Sequence, residues 1–512
     1  MPYAFRNCTS IRKLTLGTQI HRIYNYAFNG LTNLRELIYN AANATYYYLG
    51  GLQHGYAINN TENLQKLTIG PKVRSIPENI WPTDYTSLKV LDYKPDSLDT
   101  KVFRYWSNVV LDTLIVGESV TSMANLDAFE GIKCIDFRAT RLRDKTFDHN
   151  NHLETLKLAN GVELIPNNCF ANCKNLKEVI IPATVKFIGN GAFAECTSLE
   201  HVELSDNIET IETRAFYNCP IKNHTVFYLP KHLNVLENDA FYGAEVQRLI
   251  VGEELMSASS WRSTYPLQEA EYNAVNAKTT NKSGLFAYQS ELKKLTIGPK
   301  VKNIPEFFCT DCTVLEDVSY PETIDSIGEG AFQGCEALKK AVLPSSMQYL
   351  GGWAFENCAA IEIANIPSAI KDVFCATFRG CKSLKKVVLP AQMMTIEFVA
   401  FEGCSKLETI IAPLTSFVPY LGKDVFSETT YSKATLLVPP GMAEQFRNAQ
   451  WWSLFTNIIE SEEANDINAI KNVDNNTIPT FNLNGIRIAK PTTRGLNIVR
   501  YDNGTVKKVI IK

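Results

Sequence analysis

The hydrophobic positions of this chain follow a pattern that returns every 23 residues. The phrase Ala-Phe-x-x-Cys-x-x-Leu-x-x-Val, read at residues 192–202, recurs along most of the chain. Successive phenylalanines of the phrase are 23 residues apart from Phe147 to Phe216 and again from Phe332 to Phe401. A fixed period of this length is typical of a solenoid, in which each coil buries its apolar face against its neighbours.

The residues at 176–196 show how one coil is built. Leu176, Val179 and Ile181 have the spacing of a short strand with alternate residues inward, and Pro182 ends the strand. Ala192 and the residues after it have helical spacing and predict one short helical turn on the opposite wall. The fold class expected is therefore an α/β solenoid with short parallel strands on one face and short helices or turns on the other.

The repeat can be followed along the chain in two registers. The repeat phenylalanines are Phe5, Phe28, Phe129, Phe147, Phe170, Phe193, Phe216, Phe241, Phe286, Phe308, Phe332, Phe355, Phe378, Phe401 and Phe426. The strand centres predicted are residues 15, 38, 68, 92, 115, 136, 157, 180, 203, 228, 250, 271, 296, 319, 342, 365, 388, 411 and 437. Longer modules at 34–77 and 267–305 share the words Y-N-A-x-N-A and L-T-I-G-P-K-V, and 88–117 resembles a third copy.

Four segments are predicted from this pattern. Residues 1–433 form a solenoid of about 18 coils, and 434–460 form a capping strand and amphipathic helix with Phe446, Trp451, Trp452 and Phe455. Residues 461–477 are acidic, rich in Asn and without apolar period, which indicates a linker. Residues 478–512 alternate apolar positions around Asn-Gly pairs and predict a small β unit.

The repeated sentence C-x-x-L-x-x-V-x-I-P-x-x-V-x-x-I-G-x-x-A-F-x-x-C resembles the BspA-like, or Treponema-type, leucine-rich repeat proteins. The resemblance runs from residue 4 to about residue 460 and implies a leucine-rich-repeat superhelix. Members are typically secreted or cell-surface proteins of anaerobic bacteria and some parasitic protists, acting as adhesins or interaction modules. The last 33 residues or so resemble the C-terminal tails of type IX secretion cargo, which implies export and surface retention.

Charge and hydropathy narrow the partner classes. The net charge is −3, from 51 basic and 54 acidic residues, which favours neither nucleic acid nor an anionic membrane. No apolar run reaches the roughly 18 residues that a membrane span needs. The N-terminus, MPYAFRNCTS, has no signal peptide and already lies inside a repeat, so we expect a processed form or a piece without its N-terminal cap.

The 13 cysteines follow the repeat more than any metal-binding pattern. Eight of them lie three residues after a repeat phenylalanine: Cys8, Cys173, Cys196, Cys219, Cys335, Cys358, Cys381 and Cys404. We expect a buried ladder of small apolar side chains, and an exported protein could oxidise some neighbouring pairs. The CTDC stretch, Cys309 to Cys312, has metal or redox spacing but no second pair close in sequence.

The sequence also lacks the common catalytic motifs. The chain has no H-E-x-x-H, G-x-S-x-G or Walker motif, and His149 and His152 lie in a polar stretch that indicates solvated side chains. No cofactor, metal or enzymatic activity is predicted, although a fold can bring two distant carboxylates together.

Because the inward residues form the core, a binding partner would contact the outward-facing residues. On the strand face we predict a partner-binding set of Lys13, Thr15, Lys66, Thr68, Glu178, Ile180, His201, Glu203, Tyr228, Arg248, Lys294 and Thr296. The long turns add Tyr46, Tyr47, Tyr48 and Trp261, which either anchor a partner or pack over the longer coils.

Two functions remain open. The first is a non-enzymatic cell-surface or secreted adhesion protein, located outside the cell, that binds host, neighbouring-cell or extracellular-matrix proteins through its solenoid face. The alternative is a glycan- or peptide-binding accessory protein of an outer-membrane uptake system, with the Tyr- and Trp-bearing turns as its contact site.

Overall fold

The computed structural model describes most of the 512 residues. The residues described are 3–48, 55–77, 79–80, 87–96, 109–121, 131–222, 226–263, 265–279, 284–341, 343–465, 480–481, 487–488, 495–500 and 506–511. The chain divides into two compact units, Met1–Leu338 and Lys339–Lys512. Strands are numbered in chain order, and the two units are described separately.

In the first unit, one parallel strand per coil forms what we call the first sheet. Nine strands are hydrogen-bonded in sequence order: β1 (Lys13–Leu16), β3 (Glu36–Tyr39), β5 (Lys66–Ile69), β6 (Val90–Tyr93), β7 (Thr113–Val116), β8 (Cys134–Phe137), β9 (Thr155–Leu158), β11 (Glu178–Ile180) and β13 (His201–Glu203). Five more follow: β15 (Phe227–Tyr228), β17 (Arg248–Val251), β19 (Glu269–Tyr272), β21 (Lys294–Ile297) and β23 (Asp317–Ser319).

In strands β11 and β13 of the first sheet, paired residues are 23 positions apart in sequence, so the register follows the repeat period. Val179 is paired with Val202, and Ile180 is paired with Glu203, so equivalent residues of neighbouring coils form columns. Inward residues such as Val179 and Val202 are buried, and their outward neighbours are exposed. The strand centres predicted from the sequence for this unit all lie in strands, and the parallel-strand solenoid is confirmed.

A second row of short parallel strands, the second sheet, was not predicted. In the first unit it contains β2 (Arg22–Tyr24), β4 (Thr45–Tyr47), β10 (Leu164–Ile165), β12 (Phe187–Ile188), β14 (Thr210–Ile211), β16 (Val235–Leu236), β18 (Ser257–Ala258), β20 (Lys278–Thr279), β22 (Asn303–Ile304) and β24 (Ser326–Ile327). In two-residue strands such as β12 and β14 the second residue points inward, and Ile188 and Ile211 are fully buried.

The opposite wall consists of tight turns, which we call wall turns, rather than helices. No α-helix occurs among the described residues up to Leu338. Most wall turns place a residue in the left-handed region two positions before and two positions after the phenylalanine, as Gly191 (φ 60°) and Glu195 (φ 62°) do around Phe193. Two such residues interrupt a right-handed helix, so the helical turn predicted after Ala192 is absent and the wall is built from turns, the other element expected there.

Phenylalanine rings stack along this wall. Phe170, Phe193 and Phe216 have ring centroids 5.2–5.3 Å apart with nearly parallel planes. One predicted register was wrong, because Cys309 takes the phenylalanine position and Phe308 precedes it. The N–H of Cys309 donates to Ala331, as that of Phe193 donates to Ala215, and Phe308 packs edge-on against Phe286. Phe129 lies outside the described residues.

The second unit repeats both rows and ends in a cap. Its first sheet contains β26 (Ile363–Asn365), β28 (Lys386–Val388), β30 (Thr409–Ile411), β32 (Thr435–Val438) and β33 (Asn457–Glu460), and its second-row strands are β25 (Tyr349–Leu350), β27 (Asp372–Val373), β29 (Thr395–Ile396) and β31 (Tyr420–Leu421). The predicted centre at residue 342 lies outside the described residues.

The cap is more elaborate than the strand and helix predicted. It contains α1 (Glu428–Lys433), α2 (Ala443–Asn448), a 3-10 turn (Trp452–Leu454) and the additional parallel strand β33. Phe446, Trp452 and Phe455 are buried, whereas Trp451 is half-buried. A second 3-10 turn, Glu462–Asn465, follows β33.

The C-terminal segment contains an antiparallel sheet. Its strands are β34 (Thr480–Phe481), β35 (Arg487–Ile488), β36 (Gly495–Arg500) and β37 (Val506–Ile511), in the order β35-β34-β36-β37. The antiparallel pairing distinguishes this sheet from the parallel rows of the solenoid.

Candidate interaction surfaces

Most residues predicted to face outward on the first sheet do so. Those with exposed side chains are Lys13, Thr15, Glu178, Ile180, His201, Glu203, Tyr228, Arg248 and Lys294. Lys66 and Thr296 are half-buried. Thr68 is only 8% exposed, so its prediction as a contact residue was wrong.

Charges on this face compensate one another from coil to coil. The Lys13 ammonium lies 2.9 Å from Glu36, which also lies 3.9 Å from Lys66. Arg248 lies 3.7 Å from Glu269 in the same way. Exposed pairs of this kind contribute little stability, but they leave the face without a strong field of either sign.

Two large apolar side chains stand out among these compensated charges. Ile180 is 55% exposed and Tyr228 is 63% exposed. Each has a defined neighbour in the next strand, since Ile180 is paired with Glu203 and Tyr228 with Ile250. The first sheet of the first unit therefore combines apolar contact area with a rigid strand scaffold.

Part of the first sheet in the second unit is covered. Val388 and Ile411 occupy outward positions, yet they are only 4% and 2% exposed. Ala464, from the 3-10 turn after β33, packs against them. Strand alternation alone would place Val388 in solvent, but the chain folds back over this part of the sheet.

The long turns divide into exposed and packed aromatic side chains. Tyr47 and Tyr48 are exposed, and the Arg22 guanidinium lies 5.0 Å from the centre of the Tyr47 ring. Tyr46 is half-buried, and its hydroxyl donates to the Gly55 carbonyl. Trp261 is 2% exposed and stacks on Phe241 at 5.4 Å, so it belongs to the core and cannot anchor a partner directly.

Exposed apolar residues of the second sheet were missed by sequence reasoning. Leu164 and Phe187 are paired across neighbouring strands and are 48% and 41% exposed. In the second unit Tyr349 and Tyr420 are 44% and 64% exposed. The available signal was an apolar residue directly before the buried one of the V-x-x-I stretch, as in Phe187-Ile188.

The cysteine ladder is buried and hydrogen-bonded. Seven thiols donate to the carbonyl of the residue in the phenylalanine position one coil earlier, for example Cys196 to Phe170 at 3.2 Å and Cys219 to Phe193 at 3.0 Å. These seven are Cys173, Cys196, Cys219, Cys312, Cys335, Cys381 and Cys404. All 13 cysteines are free thiols in the structure. Burial raises the pKa of the Cys404 thiol to about 12 and that of the Cys196 thiol well above its ordinary value, so both stay protonated and unreactive.

The CTDC stretch belongs to this ladder. Cys309 and Cys312 are both fully buried, and the Cys312 thiol donates to the Phe286 carbonyl at 3.0 Å. Burial raises the pKa of Cys309 well above its ordinary value. Within the described residues, no group of three or more His, Cys, Asp or Glu side chains is placed to hold a metal ion.

The repeat geometry agrees with a family model for the BspA type leucine rich repeat region. The model matches in six copies, over residues 1–136, 128–247, 223–323 and 302–433. These ranges cover most of the chain. The chain belongs to the BspA-type leucine-rich repeat family.

Solved structures with a similar course of the chain come from several bacteria. A leucine-rich repeat protein from Bacteroides ovatus is 20% identical with a TM-score of 0.44, over 68% of this chain and 86% of that protein. A leucine rich cell surface protein from Faecalibacterium prausnitzii is 16% identical with a TM-score of 0.25, over 78% and 87%. The pneumococcal vaccine antigen PcpA is 15% identical with a TM-score of 0.34, over 88% and 95%.

No curated protein matches this BspA-type chain. In the part of the chain that the structure describes, no helix has the length and apolar character required to cross a bilayer.

Proposed function

We propose that this BspA-type protein is a non-enzymatic adhesion protein that binds other proteins through the first sheet of its first unit. Its partners would be proteins of a host surface, a neighbouring cell or the extracellular matrix. Repeat proteins of this kind commonly bind through extended surfaces of their solenoid, which supports a protein partner over a small molecule.

The observation that carries this proposal is the exposure of Ile180 and Tyr228 on an otherwise compensated face. Neither side chain is needed to seal the core, because the inward residues of the same strands do that. Tyr is among the residue types enriched at the energetic centres of protein interfaces, and Ile180 adds exposed apolar area on the same rigid support.

A double substitution tests the face directly. Ile180→Glu with Tyr228→Glu is expected to weaken binding to an array of purified extracellular-matrix proteins by at least roughly tenfold, the factor that corresponds to about 1.4 kcal/mol. Phe187→Glu is the matched control, since it places the same charge at a similarly exposed apolar position of the second sheet. Equal loss in the control, or no loss in the double variant, would contradict the proposal.

The alternative glycan-binding function is favoured by the exposed Tyr47 and Tyr48. A glycan array run beside the protein array separates the two functions. Glycan binding that is lost on Tyr47→Ala with Tyr48→Ala, and unaffected by changes at Ile180 and Tyr228, would replace adhesion through the first sheet as the function.

We also propose that the protein acts outside the cell and that residues 478–512 direct its export and surface retention. The support is the likeness of this segment to type IX secretion tails. Fused to a periplasmic reporter in a bacterium that has this system, the segment is expected to bring the reporter to the cell surface. A reporter carrying the same segment in shuffled order should stay in the periplasm, and equal surface display of both would refute the assignment.

A further inference from the structure

The wall turns are joined by a regular ladder of main-chain hydrogen bonds. Around Phe193, the N–H groups of Gly191, Phe193 and Glu195 donate to carbonyls of the next coil at 2.7–3.0 Å. The three donors around Phe216 repeat this arrangement, with acceptors at Asn238, Ala240 and Tyr242. Each wall turn is therefore paired like a strand, with donors two residues apart.

This ladder stops after the wall turn of Phe241. The N–H groups of Asp239, Phe241 and Gly243 occupy the three donor positions, but no carbonyl of the described residues accepts from them. The cause is a shorter next coil, in which two residues lie between Ala258 and its core ring, Trp261, whereas four lie between Leu236 and Phe241.

The core remains sealed where the outer turn is missing. The Trp261 ring stacks on Phe241 at 5.4 Å, and its main-chain N–H donates to the Leu285 carbonyl at 2.6 Å. What is lost is only the outer part of the wall turn. The gap leaves a cleft of about 890 Å³ between the wall turns of Phe241 and Phe286.

The side chains around the cleft are aromatic and basic. Tyr242 lies on one side, stacked on Tyr217 at 5.0 Å, and Tyr288 lies on the other and is 66% exposed. Arg262 lies 3.5 Å from Asp239, so these two charges are compensated.

One positive charge on the cleft is left over. The Arg214 guanidinium lies over the Tyr217 ring at 5.1 Å, and no carboxylate of the described residues is within 4 Å of it. The nearby carboxylate of Glu237 accepts hydrogen bonds from the N–H and hydroxyl of Thr213 instead.

The N–H groups of Asp239, Phe241 and Gly243, which have no acceptor among the described residues, belong to a wall turn of which Asp239 and Tyr242 line the cleft, so these donors run along its edge. The cleft itself offers one uncompensated guanidinium and two tyrosine rings.

We infer that this cleft binds an extended peptide segment that carries a carboxylate side chain. An extended chain presents a carbonyl on the same side at every second residue, which matches donors at Asp239, Phe241 and Gly243. Arg214 would take the carboxylate in a charge-assisted hydrogen bond, and Tyr242 and Tyr288 would cover the flanking side chains. A sugar chain lacks this two-residue spacing of acceptors.

This inference shares with the proposed function only the idea that the ligand is a protein segment. The cleft is a different surface from the first sheet. The test is an array of immobilised hexapeptides that carries every residue type at every position, probed with the full-length protein. Peptides containing Asp or Glu are expected to bind best. Arg214→Ala and Tyr288→Ala are each expected to weaken that binding on the order of tenfold.

The control variant is Arg141→Ala, which removes another exposed arginine that lies outside both the cleft and the predicted partner-binding set. It should leave hexapeptide binding unchanged, and the thermal unfolding of all variants should match that of the parent protein. Binding without preference for Asp or Glu, or binding that survives Arg214→Ala and Tyr288→Ala, would overturn the inference. Binding of the parent protein to an oligosaccharide array, lost in Arg214→Ala or Tyr288→Ala, would also overturn the inference, because the cleft would then be a glycan site.

Loss of matrix-protein binding on changing Ile180 and Tyr228 is a separate result. If that variant behaves as the parent protein while Arg214→Ala loses hexapeptide binding, the first-sheet proposal fails and the cleft assignment stands. The reverse pattern removes the cleft and leaves the first sheet.

Discussion

At the scale of residues, the recurrence of Phe and Cys follows from what one coil must do for the next. The phenylalanine ring stacks on the ring of the neighbouring coil, and the ring centroids of Phe193 and Phe216 are 5.2 Å apart. The cysteine is small enough for the space beside the ring, and its thiol reaches the carbonyl of the preceding phenylalanine position. Serine would bring a stronger polar group, and alanine would leave the carbonyl without the thiol.

Shortening one ladder cysteine tests this role. Cys196→Ala removes the thiol from the Phe170 carbonyl and leaves a small cavity, so we expect the free energy of unfolding to fall by about 1–2 kcal/mol. Urea denaturation followed by circular dichroism measures it. Cys134→Ala, at a half-buried outward position of β8, should change stability far less. Equal effects at both sites would show that the ladder has no special role.

A ladder position with the wrong side chain offers the opposite test. Asn150 lies three residues after Phe147 and is 2% exposed, and neither its amide nitrogen nor its oxygen has a hydrogen-bond partner among the described residues. Because a buried unpaired amide costs about 1–3 kcal/mol, Asn150→Cys is expected to raise the unfolding free energy by a similar amount. A thermal scan would detect it, and a lower melting temperature would mean that the amide is satisfied in solution.

At the scale of elements, the strands of the first sheet were predictable and the rest of each coil was not. The L-x-x-L-x-L spacing marks the strands of the first sheet, most of which have three or four residues, and the predicted centres that lie in described residues are therefore confirmed. A two-residue strand such as Phe187–Ile188 is too short to show an alternation, so the second sheet was missed. The strand β33 was missed because a stretch of four residues after the cap helix has no repeat partner in sequence.

The candidate surface was predictable to the same extent. Alternation along a strand correctly placed Ile180 and Tyr228 outward, since it depends only on neighbours in sequence. Burial of Val388 depends on Ala464, which is remote in sequence, and no local pattern signals it. Trp261 replaces a phenylalanine in the core only because two residues are missing before it, a change that is visible in sequence only after the coils have been aligned.

The cap makes a prediction at this same scale. Trp452 is fully buried, packs against Phe446 at 5.1 Å, and donates from its indole N–H to the Pro419 carbonyl at 2.9 Å. Trp452→Ala is expected to lower the free energy of unfolding of the cap by about 3–5 kcal/mol. Because solenoid coils contact only their neighbours, hydrogen exchange should accelerate in β30 to β33 and remain unchanged in residues 1–338.

The control for the cap is the adjacent tryptophan. Trp451 is half-buried with a φ of 64°, so Trp451→Ala should leave exchange in β30 to β33 close to that of the parent protein. Acceleration spread over both units in the Trp452 variant would contradict nearest-neighbour stability.

At the scale of the whole molecule, many buried thiols titrate in the same direction. Burial raises the pKa values of Cys169, Cys196 and Cys381 well above the ordinary value, and that of Cys404 to about 12. A thiol in the unfolded chain loses its proton near pH ~8.5. The folded state therefore holds protons that the unfolded state releases as pH rises.

The sign of the pH dependence follows from this difference. The stability contributed by each raised pKa is complete below the unfolded value and is lost as pH rises from about 8.5 towards the folded value. Each such thiol adds a slope of about 1.4 kcal/mol per pH unit, so several together make the molecule markedly alkali-sensitive. Urea midpoints measured in a reducing buffer at pH 7, 8, 9 and 10 should be level to about pH 8 and then fall steeply. Cys404→Ala removes one titrating group, so the fall in stability should be shallower by the slope of one thiol. Midpoints that stay constant to pH 10 would mean that burial does not protect the ladder thiols from ionisation.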